Sequence, residues 1–173
     1  MNEYQTARNE GVKLNDYVVN CVMTALANSG QYKICLLQLK KLKLEGTPVS
    51  LDVHNTVMNA CAKGRNFFEA LNLLKLMECY GPKPDIITYA CVTNALGQCG
   101  KSKKAISMIR TAEKKGLKLT QAIYNSAMIA CLKDFKPEKV PELFEEMKSK
   151  GIVPDMINYM SLIYSYSEMK RSI

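Results

Sequence analysis

Hydrophobic residues recur every three to four positions in two successive stretches between residues 51 and 85, which is the spacing of half-buried helices. The first stretch runs from about Val53 to Ala62 and the second from about Asn66 to Cys79, with Gly64 between them. A Gly-Pro-Lys-Pro-Asp turn at 81–85 closes the segment, because glycine ends helices and proline cannot continue them. The pattern therefore predicts a pair of amphipathic helices.

This helix pair repeats along the chain at a fixed offset. The clearest column of equivalent residues comprises Gly11, Gly46, Gly81, Gly116 and Gly151, each 35 residues from the next. Alanine, tyrosine and large apolar columns keep the same period. A period of about 20–50 residues is the signature of a solenoid, in which each unit packs on its neighbours. The sequence predicts an all-α fold, a right-handed α-solenoid of stacked helix–turn–helix repeats, with helix breaks at the five glycines and without strands.

The period divides the chain into units. Predicted repeats occupy residues 16–50, 51–85, 86–120 and 121–155, residues 1–15 are the expected tail of a preceding repeat, and residues 156–173 are the expected first helix of a partial repeat. Small residues four apart on each first helix lie on one helical face and predict close packing between neighbouring helices. We expect the first helices on the concave side and the lysine-rich second helices on the convex side.

The composition narrows the possible partners. The 173-residue chain is 47% hydrophobic, enough for a shared core, and carries a formal net charge of +8, which favours an acidic partner. Nucleic acid is the commonest such partner. The sequence contains no run of 18 apolar residues, so it predicts no membrane span.

Cysteine and histidine usage argues against disulfide and metal chemistry. Seven cysteines are an odd number, no Cys-x-x-Cys pair occurs, and His54 is the single histidine. Cys21 and Cys91 share one repeat column, and Cys61 and Cys131 share another. We therefore expect these four thiols to be reduced and buried as small apolar side chains, and we predict no metal and no cofactor.

The first residues, MNEYQTARNEG, contain two glutamates and lack an apolar segment, so they resemble neither a signal peptide nor a transit peptide. The repeats also start and stop within a unit. We expect the chain to be part of a longer protein, or a mature form after processing.

Several segments resemble the pentatricopeptide repeat in its plain form with uniform units. They are Asp-Ile-Ile-Thr-Tyr-Ala at 85–90, Glu-Leu-Phe-Glu-Glu-Met-Lys-Ser-Lys-Gly-Ile-Val-Pro-Asp at 142–155, Ala-Lys-Gly-Arg-Asn-Phe-Phe-Glu-Ala-Leu at 62–71, and the column of Tyr89, Tyr124 and Tyr159. The resemblance covers practically the whole chain. The tetratricopeptide repeat fits less well, because it has a period of about 34 and a signature tryptophan, and this chain has no tryptophan.

The resemblance implies binding of single-stranded RNA or ribosomal RNA, at about one base per repeat, in a mitochondrion or chloroplast. In this family the fifth and last residues of a unit choose the base. The corresponding pairs are Asn20 with Ser50, Asn55 with Asp85, Ala90 with Thr120, and Asn125 with Asp155. By the family's pattern, the two Asn–Asp pairs favour uracil and the Asn–Ser pair leans to cytosine, whereas the Ala–Thr pair matches no common reading pair.

The family's pattern also assigns residues to base packing and to phosphate. The second residue of a unit packs flat on a base, which implies that role for Tyr17, Ile87 and Ala122. Asp52 occupies the same column but places a carboxylate where an apolar group is expected. Lysines late in the first helix, Lys63 and Lys133, are expected to contact phosphate.

Two interpretations of these columns remain open. In the first, the chain is an RNA-binding module in RNA processing, RNA stability, translation or a ribosome. In the second, it is a helical scaffold held by other proteins in a large assembly, and the last residues of the units are helix caps. Ser50, Asp85, Thr120 and Asp155 all stand where an N-cap residue belongs. Neither interpretation gives these residues an enzymatic role, because no carboxylate pair or metal-ligand set is present.

Overall fold

The computed structural model describes residues 16–171, which form helices joined by short turns. The helices are α1 Asp16–Asn28, α2 Tyr32–Leu44, α3 Leu51–Lys63, α4 Phe67–Tyr80, α5 Ile86–Gln98, α6 Ser102–Lys114, α7 Gln121–Lys133, α8 Lys139–Ser149 and α9 Met156–Arg171. No strand occurs within this range, so the predicted all-α class is confirmed. The predicted tail at 1–15, with its break at Gly11, lies outside the described residues.

The first helices of the units form one continuous layer. Each of α3, α5 and α7 packs on the first helix before it and the one after it, whereas α1 packs on α3 and α9 on α7. The second helices α2, α4, α6 and α8 pack on their own first helix and on the next one, but among the described helices no two of them come into backbone contact. A stack that is tight on one side and open on the other curves toward the tight side, so the first helices line the inside of an α-solenoid.

Small side chains make the inner layer tight. Ala60, Ala95 and Ala130 occupy equivalent positions and are fully buried. At Gly97 the approach is closer still, because an added Cβ would lie 2.6 Å from the carbonyl oxygen of Ser126 on α7. Large side chains fill the space between the layers; they include Met58, Leu74, Tyr89, Ile109, Tyr124, Met128 and Phe144. Each such burial contributes roughly 1.5–3 kcal/mol.

The turn inside each unit uses left-handed backbone at one repeated position. Gly30 and Gly100 have φ of 72° and 61°, and Arg65 and Phe135 adopt 51° and 53° at the equivalent places. A side chain makes this conformation unfavourable, so two of the four turns carry strain.

The turns between units follow the predicted glycines with one exception. Gly46, Gly116 and Gly151 have φ of 69°, 73° and 71°. Gly81 instead has φ of −114° and ψ of −172°, because the following Pro82 disfavours helical backbone at the residue before it.

Ion pairs join successive second helices on the outer face. Tyr89 and Lys115 donate to Glu78 Oε1 over 2.9 Å and 2.5 Å. The hydrogen bond from Lys115 lowers the pKa of Glu78 against the opposing effect of burial. The equivalent lysine one unit later, Lys150, pairs with the equivalent Glu113. Repetition in sequence therefore produces repetition in the polar contacts between units.

Glu146 on α8 extends this network. Tyr124 donates to its Oε1 over 2.8 Å, and Arg110 on α6 binds both of its oxygens. Burial opposes ionisation of Glu146, but the bonds from Arg110 and Tyr124 outweigh it and lower the pKa of the carboxyl.

The cysteine predictions are confirmed at three of four positions. Cys61, Cys91 and Cys131 are buried, and none of the seven cysteines forms a disulfide. Cys21 is exposed, so the prediction that it is buried was wrong. Its equivalent Cys91 lies between α3 and α7, whereas within the described residues α1 has a first helix on one side alone.

Thiol reactivity provides a test of this packing. Burial raises the pKa of Cys61 and Cys91 to about 12 and that of Cys131 to about 11, which suppresses the reactive thiolate. We expect native protein to react rapidly with Ellman's reagent at the exposed Cys21 and Cys79 and slowly at the buried Cys61, Cys91 and Cys131. Peptide mapping after brief labelling would identify the sites. Rapid labelling of Cys61 or Cys131 would contradict the structure.

The strained turn at Phe135 predicts a stabilising substitution. The ring is 89% exposed, so its removal costs little burial, and glycine relieves the left-handed backbone. After allowance for the greater freedom of glycine in the unfolded chain, Phe135→Gly should stabilise the fold by about 0.5–1 kcal/mol in urea unfolding. Phe135→Ala is the control, because alanine keeps the Cβ. An equal gain in both variants would locate the effect in the exposed ring instead.

Candidate nucleic-acid interface

A row of exposed side chains follows the inner layer of helices, one from the second position of each unit. Tyr17 is 76% exposed and Ile87 57%, and Asp52 and Ala122 are also exposed. Ile157 on α9 continues the row. The three residues predicted to pack on bases therefore lie at the surface, in the first, third and fourth units of the row.

A cleft of about 290 Å³ opens between α5 and α7. It is lined by Ile87, Ala90 and Thr120 of the third unit and by Ala122 of the fourth, so the structure brings these predicted residues together. A cavity of roughly 150 Å³ is sufficient to bind benzene, so the cleft has room for a flat ring. Its lining is mainly apolar, with the amide of Asn94 at one wall.

Asn55 is held by the following unit. Its side chain is 6% exposed, and the hydroxyl of Thr88 lies 2.8 Å from its Oδ1. The same hydroxyl is 2.8 Å from Asp85 Oδ1, and its single proton can be donated to one of these oxygens at a time. The amide oxygen of Asn55 faces Thr88, so its Nδ2 is the group left to act as a donor toward a ligand.

Asn125 has a similar arrangement with a different partner. Asn158 Nδ2 donates to its Oδ1, and Asn125 Nδ2 donates to Asp155 Oδ2 over 3.4 Å. The carboxylate can only accept, so it fixes the direction in which the amide points. Asn20 accepts from the hydroxyl of Thr56 over 3.3 Å. In each case a residue of the next unit orients the asparagine.

The two lysines predicted to bind phosphate lie along one edge of the inner layer. Lys63 donates to Asn28 Oδ1 over 2.8 Å, and Lys133 donates to Gln98 Oε1 over 2.8 Å. Both partners stand one unit earlier in the same column as the lysines. An ammonium group has three donors, and both side chains are exposed, so these bonds leave donors for a phosphate.

Capping accounts for two of the four last residues of the units. Asp85 accepts from the backbone N–H of Thr88 over 2.8 Å, and Asp155 accepts from that of Asn158 over 2.9 Å. Ser50 and Thr120 stand at equivalent N-cap positions, but their side chains make no capping hydrogen bond. Helix capping therefore explains the two aspartates but not the whole column.

Sequence reasoning missed the third residue of each unit. Thr88 and Asn158 hold the fifth residue of the preceding unit, Asn55 and Asn125, whereas Ile123 follows Ala90. A polar third residue thus holds Asn55 and Asn125, whereas Asn20 is followed by the apolar Val53 and accepts from Thr56 instead. Comparison of columns across unit boundaries would have found this signal.

The described residues hold no group of three or more potential metal ligands. None of their helices combines the length and apolar character needed to cross a membrane. The described units form a solenoid of helical hairpins, with one row of exposed second-position side chains along its inner face.

The sequence places this solenoid in a family. The family model described as PPR repeat matches residues 52–82, 87–117 and 122–152, together more than half of the chain. The chain belongs to the pentatricopeptide repeat family.

Two curated relatives come from Arabidopsis thaliana. The small ribosomal subunit protein mL103 (rPPR7) is 46% identical over 55 residues, which is 32% of this chain and 13% of that protein. A mitochondrial pentatricopeptide repeat-containing protein is 40% identical over 52 residues, which is 30% of this chain and 12% of that protein. Each alignment thus covers a small part of the relative.

Solved structures share the fold. Maize PPR10 superimposes with a TM-score of 0.74 at 26% identity over 97% of this chain and 24% of that chain. PPR10 in complex with an 18-nt psaJ RNA element gives a TM-score of 0.82 at 23% identity, over 93% of this chain and 23% of that chain. The PPR domain of Arabidopsis thaliana protein-only RNase P 1, in complex with tRNA, gives 0.75 at 14% identity, over 91% of this chain and 83% of that chain.

The difference between the aspartate and the uncapped positions predicts unequal effects on stability. Asp85→Ala removes a reciprocal capping box with Thr88 and should destabilise the fold by about 1 kcal/mol or somewhat more. Thr120→Ala is the matched control, because the Thr120 side chain caps nothing, and its effect should be within about 0.5 kcal/mol. Urea unfolding of both variants measures this, and equal losses would contradict the assignment.

Proposed function

We propose that this chain is a single-stranded RNA-binding segment of an organellar protein, which accepts about one nucleotide per unit along its inner face. The row of exposed second-position residues above oriented asparagines carries the proposal. The net charge of +8 adds a favourable, sequence-independent term for RNA. The structure of PPR10 with RNA supplies a fold-level analogy.

In this proposal a unit contacts a base in two ways: its second residue packs on the face of the base, and its fifth residue hydrogen-bonds the edge of the base. Tyr17, Ile87 and Ala122 offer flat or apolar contact to bases, since stacking tolerates any base. The Nδ2 groups of Asn55 and Asn125 donate to a base edge, because their oxygens accept bonds within the protein. Asp85 and Asp155 orient the readers or act through water.

Two features of the chain weaken its proposed preference for particular RNA bases: the residues of the third unit, and Asp52. Ala90 and Thr120 line an apolar cleft with room for a base but offer no amide at the fifth position. Asp52 places negative charge in the base-packing row, near the phosphates of a bound strand. We therefore propose a modest preference for uracil at the second and fourth units, within binding that is largely electrostatic.

The relatives favour the mitochondrion over the chloroplast as the compartment. One matched protein is described as mitochondrial and the other as a small ribosomal subunit protein. On this basis, ribosomal RNA joins transcripts among the proposed ligands. The described residues bind RNA in this proposal and perform no chemistry on it.

A scaffold role in a large assembly is the second candidate. The low exposure of Asn55 and its bond to Thr88 are expected if the asparagine column mainly joins the units. The relative that is a ribosomal protein favours the same role. In this role the contacts are chiefly with protein, and base identity has little effect.

Substitution of the two asparagines distinguishes these roles. If Asn55 and Asn125 read bases, each change to alanine should reduce the preference for U-rich over A-rich ten-nucleotide RNAs by about 1 kcal/mol, or about fivefold. Binding would be measured by fluorescence anisotropy and melting by circular dichroism on the same proteins. Reduced stability with unchanged base preference would leave the scaffold role.

Substitution of the two lysines tests the electrostatic component separately. Lys63→Ala and Lys133→Ala should weaken all RNAs alike and lower the logarithmic salt slope by about 0.7 each. Lys75→Ala is the control, because Lys75 is an exposed lysine on the second helix α4. An equal effect of Lys75→Ala would show that net charge rather than the inner face drives binding.

A further inference from the structure

The outer groove between α2 and α4 differs from the grooves that follow it. Ion pairs and a lysine over aromatic rings span the later grooves, through Lys115 with Glu78, Arg110 with Glu146, and Lys104 with Phe67. Among the described residues, no ion pair links α2 to α4. Leu76, which lines this first groove, is 51% exposed, so the apolar surface of the groove is open to solvent.

The groove ends in a cleft of about 480 Å³ at the junction of the first two units. Lys43, His54, Leu76 and Tyr80 line it, together with the turn at 46–49. A narrower apolar channel lined by Leu36, Leu39 and Leu73 continues from it, with Lys43 and Leu76 shared by both. Glu69 and Lys40 lie along this channel. The groove thus consists of an apolar strip, which is the channel, and a basic end, which is the cleft that contains Lys43.

Comparison with the next junction shows a reversal of charge. There, Tyr89, Glu78 and Lys115 form a hydrogen-bonded triad. The equivalent residues one unit earlier are His54, Lys43 and Tyr80. Lys43 replaces the carboxylate, and none of the described residues that line the cleft is acidic. The first junction keeps the hydrogen-bonding groups of the triad but lacks its anion.

His54 is buried with one ring nitrogen unsatisfied. The residue is 1% exposed. Its Nδ1 lies 2.8 Å from the carbonyl oxygen of Ser50, which requires a proton on Nδ1. Within the described chain its Nε2 is buried without a hydrogen-bond partner. Burial, together with the charge of Lys43, lowers the pKa of His54 against the effect of the Ser50 bond, so the isolated ring is neutral at pH 7.

We propose that this groove docks an acidic and aliphatic segment of a partner protein, whose carboxylate lies against Lys43 and His54. A carboxylate there occupies the place that Glu78 takes at the next junction. It binds the ammonium of Lys43 and favours a second proton on His54, taken from solvent, so that Nε2 becomes a donor. Aliphatic side chains of the segment cover Leu76 and the channel. Leu76 is 51% exposed and Tyr80 90%, and large apolar and aromatic groups of this kind are enriched in interfaces.

The location favours protein over RNA. The groove lies between second helices on the outer face, opposite the row proposed to bind bases. Its apolar strip offers nothing to a hydrated phosphate chain, whereas it matches an aliphatic side chain beside a carboxylate. The charge of the site is complementary to an acidic segment.

The single histidine makes the test specific, because every imidazole signal comes from His54. The probes are the peptide acetyl-Leu-Glu-Leu-Leu-Glu-amide and its counterpart with both Glu changed to Gln. Two-bond ¹H–¹⁵N spectra at pH 7 should show Nε2 moving toward its protonated position with the Glu peptide and remaining in place with the Gln peptide. Equal shifts with both peptides, or none with either, would overturn the proposal.

Two variants and two further controls complete the experiment. Lys43→Met keeps the length of the side chain but removes its charge, and should weaken the Glu peptide at least about tenfold. Lys75→Met, on an exposed lysine that does not line the groove, should change the affinity less than about twofold. A U-rich ten-nucleotide RNA that displaces the peptide and shifts Nε2 would assign the site to nucleic acid. Shifts that depend on protein concentration without peptide would assign it to a second copy of this chain, and either result overturns the proposal.

Discussion

The close approach of the first helices is the constraint on which the rest of the structure depends. Alanine at 60, 95 and 130 and glycine at 97 leave no room for larger side chains where neighbouring first helices meet. Because the second helices are bulkier and stay apart, the stack curves, and one residue per turn of each inner helix is left facing the inside. The row of second-position residues follows from this packing and does not require a separate element.

The asparagine side chains proposed to bind RNA bases also form the hydrogen bonds that join neighbouring units. Asn55 and Asn125 are oriented by Thr88 and Asn158, which belong to the next unit. A base reader in such a solenoid is therefore part of the interface between units, and its orientation depends on the neighbour. The partner differs along the stack: Thr56 donates to Asn20, whose next unit has Val53 at the third position, and Ala90, which has no amide to orient, is followed by Ile123.

The sequence predicted the features that depend on period and missed those that depend on neighbours. The 35-residue register located the helices and most of the buried columns, because equivalent positions meet equivalent surroundings inside a stack. It failed at Cys21, where the surroundings on one side differ, and at Ser50 and Thr120, where the right residue type stands at an N-cap without making the bond. The strained Arg65 and Phe135 were also unpredicted, since the turn shape is set by the helices it joins. The period predicts where a residue lies in its unit, whereas a side-chain hydrogen bond also depends on the identity and geometry of the partner residue.

The same contrast separates the two faces of the molecule. Inside, substitutions are limited by the spacing of the helices, so neighbouring units remain alike. Outside, the second helices are far enough apart for each groove to have its own chemistry: carboxylates bridge two of them, and Lys43 and His54 leave the first one basic and open. A repeat protein can in this way keep one ligand class along its inner face while a single outer groove diverges toward a different partner. The unequal grooves, rather than the shared fold, are what distinguish this chain from a uniform stack of the same unit.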